Sequence, residues 1–386
     1  MPRKNLLLIP GPTPVPDDVM RAMTHPMVNH RGPEFVATIE ECVEGLRAIF
    51  RTSGDVLAFP ASGTGGLEAA IVNVLSPGDR VLSCSVGAFG DRFAKIAQSF
   101  GARVESCGFQ WGDVVDPAVV EARLREDTNH SVQAVLLTHN ETSTGVVNDV
   151  ESVAHVVREH GALLLVDSIS GMIAHPIPVD DWGLDVVVAG SQKAFMIPPG
   201  LAFISVGPRA WDAHKTASMP RYYWDFASMR DRALTPYTPA VPLFYALQTA
   251  LRMLLEEGLP AVAARHHLLA LALRSGVESL DLALLAPEGR RSSAVTAIRV
   301  PPNVTVKALR ARLRDPYGLI VAGGQGKLES EIIRIGHLGY TGWTDIVCAL
   351  AGLEMALNDL GRPVVPGTGV AAAQQVLRTA PAGVSL

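Results

Sequence analysis

The sequence lacks most of the features that mark membrane, secreted or nucleic-acid-binding proteins. Its 386 residues include only four cysteines, Cys42, Cys84, Cys107 and Cys348, widely spaced and without a Cys-x-x-Cys pair. That spacing argues against a disulfide framework or zinc ribbon and for free thiols in a reducing compartment. No apolar run approaches the roughly 18 residues of a membrane helix. The N-terminal run is only Leu6 to Ile9, before Pro10-Gly11-Pro12, too short for a signal-peptide core, so a cytoplasmic protein with no membrane partner is expected. Basic residues are in deficit, 33 against 38 acidic ones for a net charge of −5, which leaves no footprint for nucleic acid. No Gly-x-Gly-x-x-Gly follows the first strand-like segment, which removes the usual signature of a nicotinamide dehydrogenase.

What is present is a large apolar content. Hydrophobic residues make up 48% and charged residues 18%, the balance of a soluble globular chain long enough for two domains. Short continuous apolar runs recur at Asp55–Phe59, Arg80–Cys84, Ala134–Thr138, Ala162–Val166 and Asp185–Ala189. Continuous rather than alternating runs suit strands covered on both faces. Helical patterns lie between them, at Gly66–Leu75, Asp91–Phe100 and Val150–His160, which implies βαβ units and a mostly parallel sheet. Leu201–Ser205 follows the Asp185 run too closely for a helical crossover and is expected to pair antiparallel. Beyond a helix at Leu243–Glu257 the pattern becomes α+β, with helices at Val306–Leu313 and Asp345–Leu360 and a strand at Ile332–Ile335. The reading is an α/β protein: an N-terminal arm over 1–20, a large domain over 21–258 and a small C-terminal α+β domain over 259–386. The stretch after Arg362 carries no clear pattern.

In a parallel α/β sheet, ligands gather at the carboxyl ends of the strands. After the first strand comes Ser62-Gly63-Thr64-Gly65-Gly66, a loop fit either for an anion at a helix N-terminus or for a plain turn. After the second is Phe89 between glycines, a plate for a planar ring or a core residue. His139-Asn140-Glu141-Thr142-Ser143-Thr144-Gly145 offers ligand contacts or a cap for the next helix. One apolar strand ends at Asp167, where a carboxylate needs a cation, donors or a helix to cap. The next ends in Gly190-Ser191-Gln192-Lys193. Phosphate loop, aromatic plate, carboxylate and lysine on successive strand ends describe pyridoxal 5′-phosphate: the lysine for a Schiff base, the acid for the pyridinium nitrogen, the loop for the phosphate.

With Pro10-Gly11-Pro12-Thr13, Ser62-Gly63-Thr64, Leu67-Glu68-Ala69-Ala70, Thr142-Ser143-Thr144-Gly145, Val166-Asp167-Ser168, Gly190-Ser191-Gln192-Lys193 and Arg334-Ile335-Gly336, the chain resembles the class V aminotransferases of fold type I. It is most similar in kind to the alanine–glyoxylate and serine–glyoxylate (serine–pyruvate) aminotransferases. The resemblance implies the fold type I architecture and pyridoxal 5′-phosphate as cofactor. Small amino acids and 2-oxo acids would be the substrates, and a homodimer would share its active sites. By the same resemblance Lys193 holds the cofactor and shuttles the substrate proton, and Asp167 binds the ring nitrogen. Ser62, Gly63, Thr64 and Gln192 contact the phosphate, with Thr238, and Tyr237 beside it, reaching in from the partner subunit. Phe89 stacks on the ring, Ile169 packs on its other face, Thr142 bonds its hydroxyl side, and Arg334 grips the substrate carboxylate, a bidentate task. The implied reaction is ping-pong transfer of an amino group from alanine or serine to glyoxylate or pyruvate.

Alternatives within the fold are transfer from 2-aminoethylphosphonate or pyridoxamine, or a carbon–sulfur lyase. The lyase needs a cysteine on a mobile loop, whereas Cys348 falls in a helical pattern. A purely ligand-binding role would not require the lysine. No metal site is expected: His266 and His267 are adjacent on a helix and cannot share a face.

Overall fold

The computed structural model describes residues 5–231 and 236–380. Seven strands form one sheet: β1 (Asp55–Phe59), β2 (Arg80–Cys84), β3 (Arg103–Ser106), β4 (Val132–Thr138), β5 (Leu163–Asp167), β6 (Val186–Gly190) and β7 (Ala202–Val206); all but the edge strand β3 are apolar runs. Their spatial order is β1-β7-β6-β5-β4-β2-β3. Alternate residues of each strand enter different cores. Val56, Val135, Leu164 and Val187 join one cluster, while Leu57, Leu136, Leu165 and Val188 join another on the opposite face. The period of two, with helices over both faces, is why the runs are continuously apolar.

Strands β3, β2, β4, β5 and β6 run parallel. As expected from its position in the sequence, β7 is antiparallel, and it pairs with both β6 and β1. The reversal is made by the turn at Pro198-Pro199-Gly200, where the Ser191 hydroxyl donates to the Pro198 carbonyl (2.8 Å).

Two helices begin three residues earlier than the sequence pattern suggests, at Gly63 instead of Gly66 and at Ala88 instead of Asp91. Glycines dilute the helical signal at both starts. The opening turn of the second is satisfied by side chains from elsewhere in the chain, which no local pattern reveals. The stretch after Arg362 also differs from the reading. It carries a helix, Thr368–Leu377, whose Ala373 and Leu377 are buried in the C-terminal core. Its cap is distant too: the Glu354 carboxylate accepts the N–H groups of Gly367, Gly369 and Val370.

In the C-terminal part, β8 (Val295–Arg299), β9 (Ala322–Gly323) and β10 (Ile332–Gly336) form an antiparallel sheet ordered β8-β10-β9. Its core is a separate cluster built around Leu269, Leu273, Ile333, Ile335 and Leu353. On that separate core we propose residue 258, at the break between the Val241–Glu257 and Leu259–Ser279 helices, as the boundary of the smaller domain. The N-terminal arm joins this core through Leu8, with Leu6–Leu7 lying parallel to Leu319–Ile320. From there the arm runs to the carboxyl ends of the large sheet.

Candidate active site

Asp167 is the last residue of β5 and pairs in register with Val188 of the parallel β6. Lys193 follows the end of β6 in a turn closed by Ser191, whose N–H donates to Leu201 O and whose hydroxyl accepts from Leu201 N–H. The arm clamps this turn from outside. Thr13 N–H donates to Gln192 O (3.1 Å), the Thr13 hydroxyl donates to Lys193 O (2.9 Å), and Lys193 Nζ donates to Pro10 O. Lys193 is thus held from two sides in the wall of a cleft.

That cleft has a volume of about 200 Å³, and Ser62, Gly63, Thr64, Phe89, Thr142, Asp167, Ile169, Gln192 and Lys193 all line it. Ser62 occupies the N-cap position of the Gly63–Val74 helix but makes no capping bond. The helix's first backbone bond is Gly66 N–H to Ser62 O (3.3 Å), which leaves the N–H groups before it without an intrahelical partner. With no side-chain cap on them, these groups suit an anion. Gly63 lets Ile169 approach, since a Cβ there would lie 2.5 Å from Ile169 Cδ1 and push that side chain aside. Buried polar atoms also lack partners at the cleft wall, Gln192 Oε1 and Asn140 Oδ1 among them. Free donors at one end, an aromatic and an aliphatic wall, and unpaired amide atoms fit a planar, phosphate-bearing cofactor.

Burial dominates the electrostatics. The Asp167 carboxyl is pushed up to about 7 by desolvation and by the Glu141 charge, against the pull of the Ile169 N–H, Lys193 and Arg92. Its Oδ1 accepts from Ile169 N–H (2.9 Å), and no helix follows it, so it is not a helix cap. Lys193 is pulled down to about 8, mainly by desolvation, then by the Arg334 charge, with Asp167 opposing. His139 sits behind Asp167 with Nδ1 against the Ser168 hydroxyl (2.9 Å), and burial lowers its pKa to about 4. It is a neutral hydrogen-bonding neighbour.

Arg334, on β10, stands behind the wall formed by Thr142. It is 5% exposed; Nε donates to Gly323 O (2.8 Å) and Nη1 to Thr142 O (3.0 Å). No carboxylate pairs with it among the described residues, and burial lowers its pKa to about 10. The Glu141 charge opposes that shift without touching the guanidinium, and a buried guanidinium with no carboxylate in contact is costly unless a ligand supplies one.

Tyr237 and Thr238 are not brought to this cleft within the chain. They line a separate hollow with Pro60 and Tyr223, where Tyr237 stacks on Tyr223 at 4.9 Å. Thr235 lies outside the described residues. Arg31 donates to Pro236 O of the same segment (3.1 Å).

Sequence reasoning missed Arg92, which lines the cleft with its guanidinium 4.9 Å from the Phe89 ring centre. One helical turn beyond Phe89 was the available signal. It also took the His139–Gly145 segment as ligand contacts or a cap for the next helix. The next helix is capped by Asp149, whereas Glu141 and Ser143 bind the Ala88–Ser99 helix. Among the described residues no three His, Cys, Asp or Glu side chains gather as metal ligands; His266 and His267 bond to Val262 O and Ser293 Oγ respectively. No helix is long and apolar enough to cross a membrane among the described residues.

Compared with known proteins, the family described as Aminotransferase class-V matches residues 6–329. The chain is 43% identical over 385 residues to a Synechococcus protein named soluble hydrogenase, small subunit, across 98% of this chain and all of that one. It is 37% identical over 385 residues to the serine–glyoxylate aminotransferase of Arabidopsis thaliana, across 98% and 96% of the two chains. Among solved structures, the pyridoxamine–pyruvate aminotransferase of Mesorhizobium loti superposes with a TM-score of 0.93 at 30% identity, over 97% of this chain and 98% of that one.

Proposed function

The chain belongs to the class V aminotransferases, and from that premise we propose that it transfers the amino group of a small amino acid, alanine or serine, to glyoxylate or pyruvate in two half-reactions. The observation that carries this reading is the single cleft in which Lys193, Asp167 and the free helix N-terminus meet, with the unpaired Arg334 behind its wall. The family is one of pyridoxal 5′-phosphate enzymes, and the cofactor, when bound, supplies an electron sink for the charge left on the substrate α-carbon.

In this reading Ser62, Gly63, Thr64 and Gln192 hold the phosphate, Phe89 and Ile169 cover the two ring faces, and Thr142 meets the ring hydroxyl. Asp167 keeps the ring nitrogen protonated. A carboxyl that burial raises to about 7 in isolation gains its ionised state from that cationic partner. Arg334 receives the substrate carboxylate through the donors its two carbonyl contacts leave free, fixing the α-carbon near Lys193. Lys193 Nζ takes the α-proton and later returns one. Its depressed pKa makes it available as a neutral base near physiological pH, and positioned proton transfer of this kind is typically worth about 10²–10⁴-fold.

Thr238 and Tyr237, remote from the cleft of their own chain, belong in this reading to the phosphate site of a partner subunit in a homodimer. The exposed Tyr222 and Tyr223 beside them support an interface there. Four free cysteines support a reducing, cytoplasmic setting.

Pyridoxamine as donor and pyruvate as acceptor form the second reading, favoured by the superposition on the Mesorhizobium loti enzyme. A panel of alanine, serine, 2-aminoethylphosphonate and pyridoxamine against glyoxylate and pyruvate separates the two. The first reading expects the highest kcat/KM from alanine or serine; activity with pyridoxamine alone overturns it.

A further inference from the structure

The residue on which the cleft's two walls converge does not itself line it. Glu141 is 0% exposed and lies in the short strand Asn140–Glu141, paired with Val146–Val147. Its Oε2 accepts the N–H groups of Phe89 (3.1 Å) and Gly90 (3.0 Å). Its Oε1 accepts the N–H (3.0 Å) and hydroxyl (2.5 Å) of Ser143. The Ser143 hydroxyl in turn accepts Ala88 N–H (2.9 Å).

The Ala88–Ser99 helix makes its first internal bond at Asp91 N–H to Gly87 O. The three N–H groups before it are therefore all taken by Glu141 and Ser143, while the N-cap residue, Gly87, has no side chain to offer. A helix end normally capped by a local residue is here tied to a loop some fifty positions away. Gly87 makes room for the tie: a Cβ there would lie 2.4 Å from Glu141 Cγ and 2.5 Å from Ser143 Oγ.

The tie joins the two walls of the cleft. Phe89 is in the first turn of the helix being held. Thr142 follows Glu141 directly, bonds Ser170 through its hydroxyl (2.6 Å) and presents its carbonyl to Arg334 Nη1 (3.0 Å). Burial raises the pKa of the Glu141 carboxyl, and the Ser143, Gly90 and Phe89 donors oppose that rise; both its oxygens serve as acceptors, and the ionised form acts favourably on the buried Arg334.

We propose that Glu141 is a positioning residue: it fixes the spacing between the Phe89 wall and the Thr142–Arg334 wall, and so sets how tightly cofactor and substrate carboxylate are held. The inference rests on the aminotransferase reading of the cleft. It distinguishes Glu141 from an ordinary helix cap, whose loss would lower stability and leave ligand affinity alone.

The test uses Glu141→Gln, which keeps the shape but turns one acceptor oxygen into a donor facing an N–H group. Cofactor affinity is measured by absorbance titration of the apoenzyme with pyridoxal 5′-phosphate, and the amino donor's KM is measured on the reloaded enzyme. The cofactor dissociation constant and the donor KM should each rise about tenfold, the loss of roughly one charge-assisted bond. In a Phe89→Ala background the change in cofactor affinity should shrink to about twofold or less, because the wall that Glu141 holds is then gone. If Glu141→Gln does not fold, Ser143→Ala, which removes only the hydroxyl link, should show the same pattern at smaller size. Wild-type affinity in these variants, or an equal loss in the Phe89→Ala background, overturns the proposal. Failure of the wild-type chain to bind the cofactor would instead sink the functional reading beneath it.

Discussion

Asp167 and Lys193, at the ends of neighbouring parallel strands, are perturbed in opposite directions by the same burial: the carboxyl rises to about 7 and the ammonium falls to about 8. Each would be closer to its ordinary value in water, and each partly compensates the other. The pair is tuned so that charge on either is easily removed near neutral pH. In the apoenzyme, modification of the Lys193 amine should titrate with a midpoint near 8 and not near the ordinary 10.5. Asp167→Asn should lower it further, because the carboxylate is the charge that opposes the shift. The pH dependence of amine labelling, read by peptide mass spectrometry, checks this; a midpoint above about 10 would contradict it.

Arg334 gives a sharper substrate test. Its two carbonyl bonds fix the guanidinium plane, and lysine cannot reproduce that fork. Arg334→Lys should lower kcat/KM for amino acid donors by about 10- to 100-fold, as expected for losing charge-assisted bonds of about 1.5–3 kcal/mol. An amine donor without a carboxylate should be nearly unaffected. Steady-state kinetics with alanine and with a simple alkylamine make the comparison, and equal losses on both would remove Arg334 from the carboxylate site.

Acid stability follows from a buried group of histidines. His266 bonds Val262 O and Gly339 N–H, His175 accepts Ser293 N–H, and His337 bonds Ser293 O and Thr296 Oγ1. Burial lowers His139 to about 4 and His266 and His337 to about 3, and holds His175 well below the ordinary 6.5. Folded values below the unfolded one mean that the unfolded chain binds more protons. The stabilisation is therefore complete above about pH 6.5 and is lost as pH falls toward 4. The holoenzyme should take up protons on unfolding at pH 5.5, measured by calorimetry in buffers of different ionisation enthalpy. Glu141 and Asp185, whose folded values burial raises, act with the opposite sign and reduce the net uptake; Asp167, raised to about 7 without its ring partner, does the same, so uptake should be smaller in the apoenzyme. Proton release from the holoenzyme would contradict the account.

The sequence made much of this legible because local and global signals agree in the large sheet. Continuous apolar runs at Ala162–Val166 and Asp185–Ala189, alternating with helical patterns, suit strands covered on both faces, and strand ends are where such sheets bind ligands. Lys193 and Asp167 could therefore be found from order along the chain alone. What stayed hidden depends on contacts between distant segments. The early start at Ala88 and the Thr368–Leu377 helix are capped by Glu141 and Glu354, residues no local window contains. The arm's clamp on Lys193, through Thr13 and Pro10, likewise joins residues some 180 positions apart. Arg92 was missed because its relation to the cleft is a helical turn beyond a residue read as part of a loop.

Whether Lys193 holds pyridoxal 5′-phosphate and uses it for amino transfer can be read from the visible absorption spectrum of the purified protein. The protein should be yellow, with a visible band that shifts when alanine or serine is added and returns when glyoxylate or pyruvate follows, and no such cycle in Lys193→Ala. A wild-type protein that stays colourless after incubation with the cofactor, or a Lys193→Ala variant that completes the cycle, would contradict that role for Lys193.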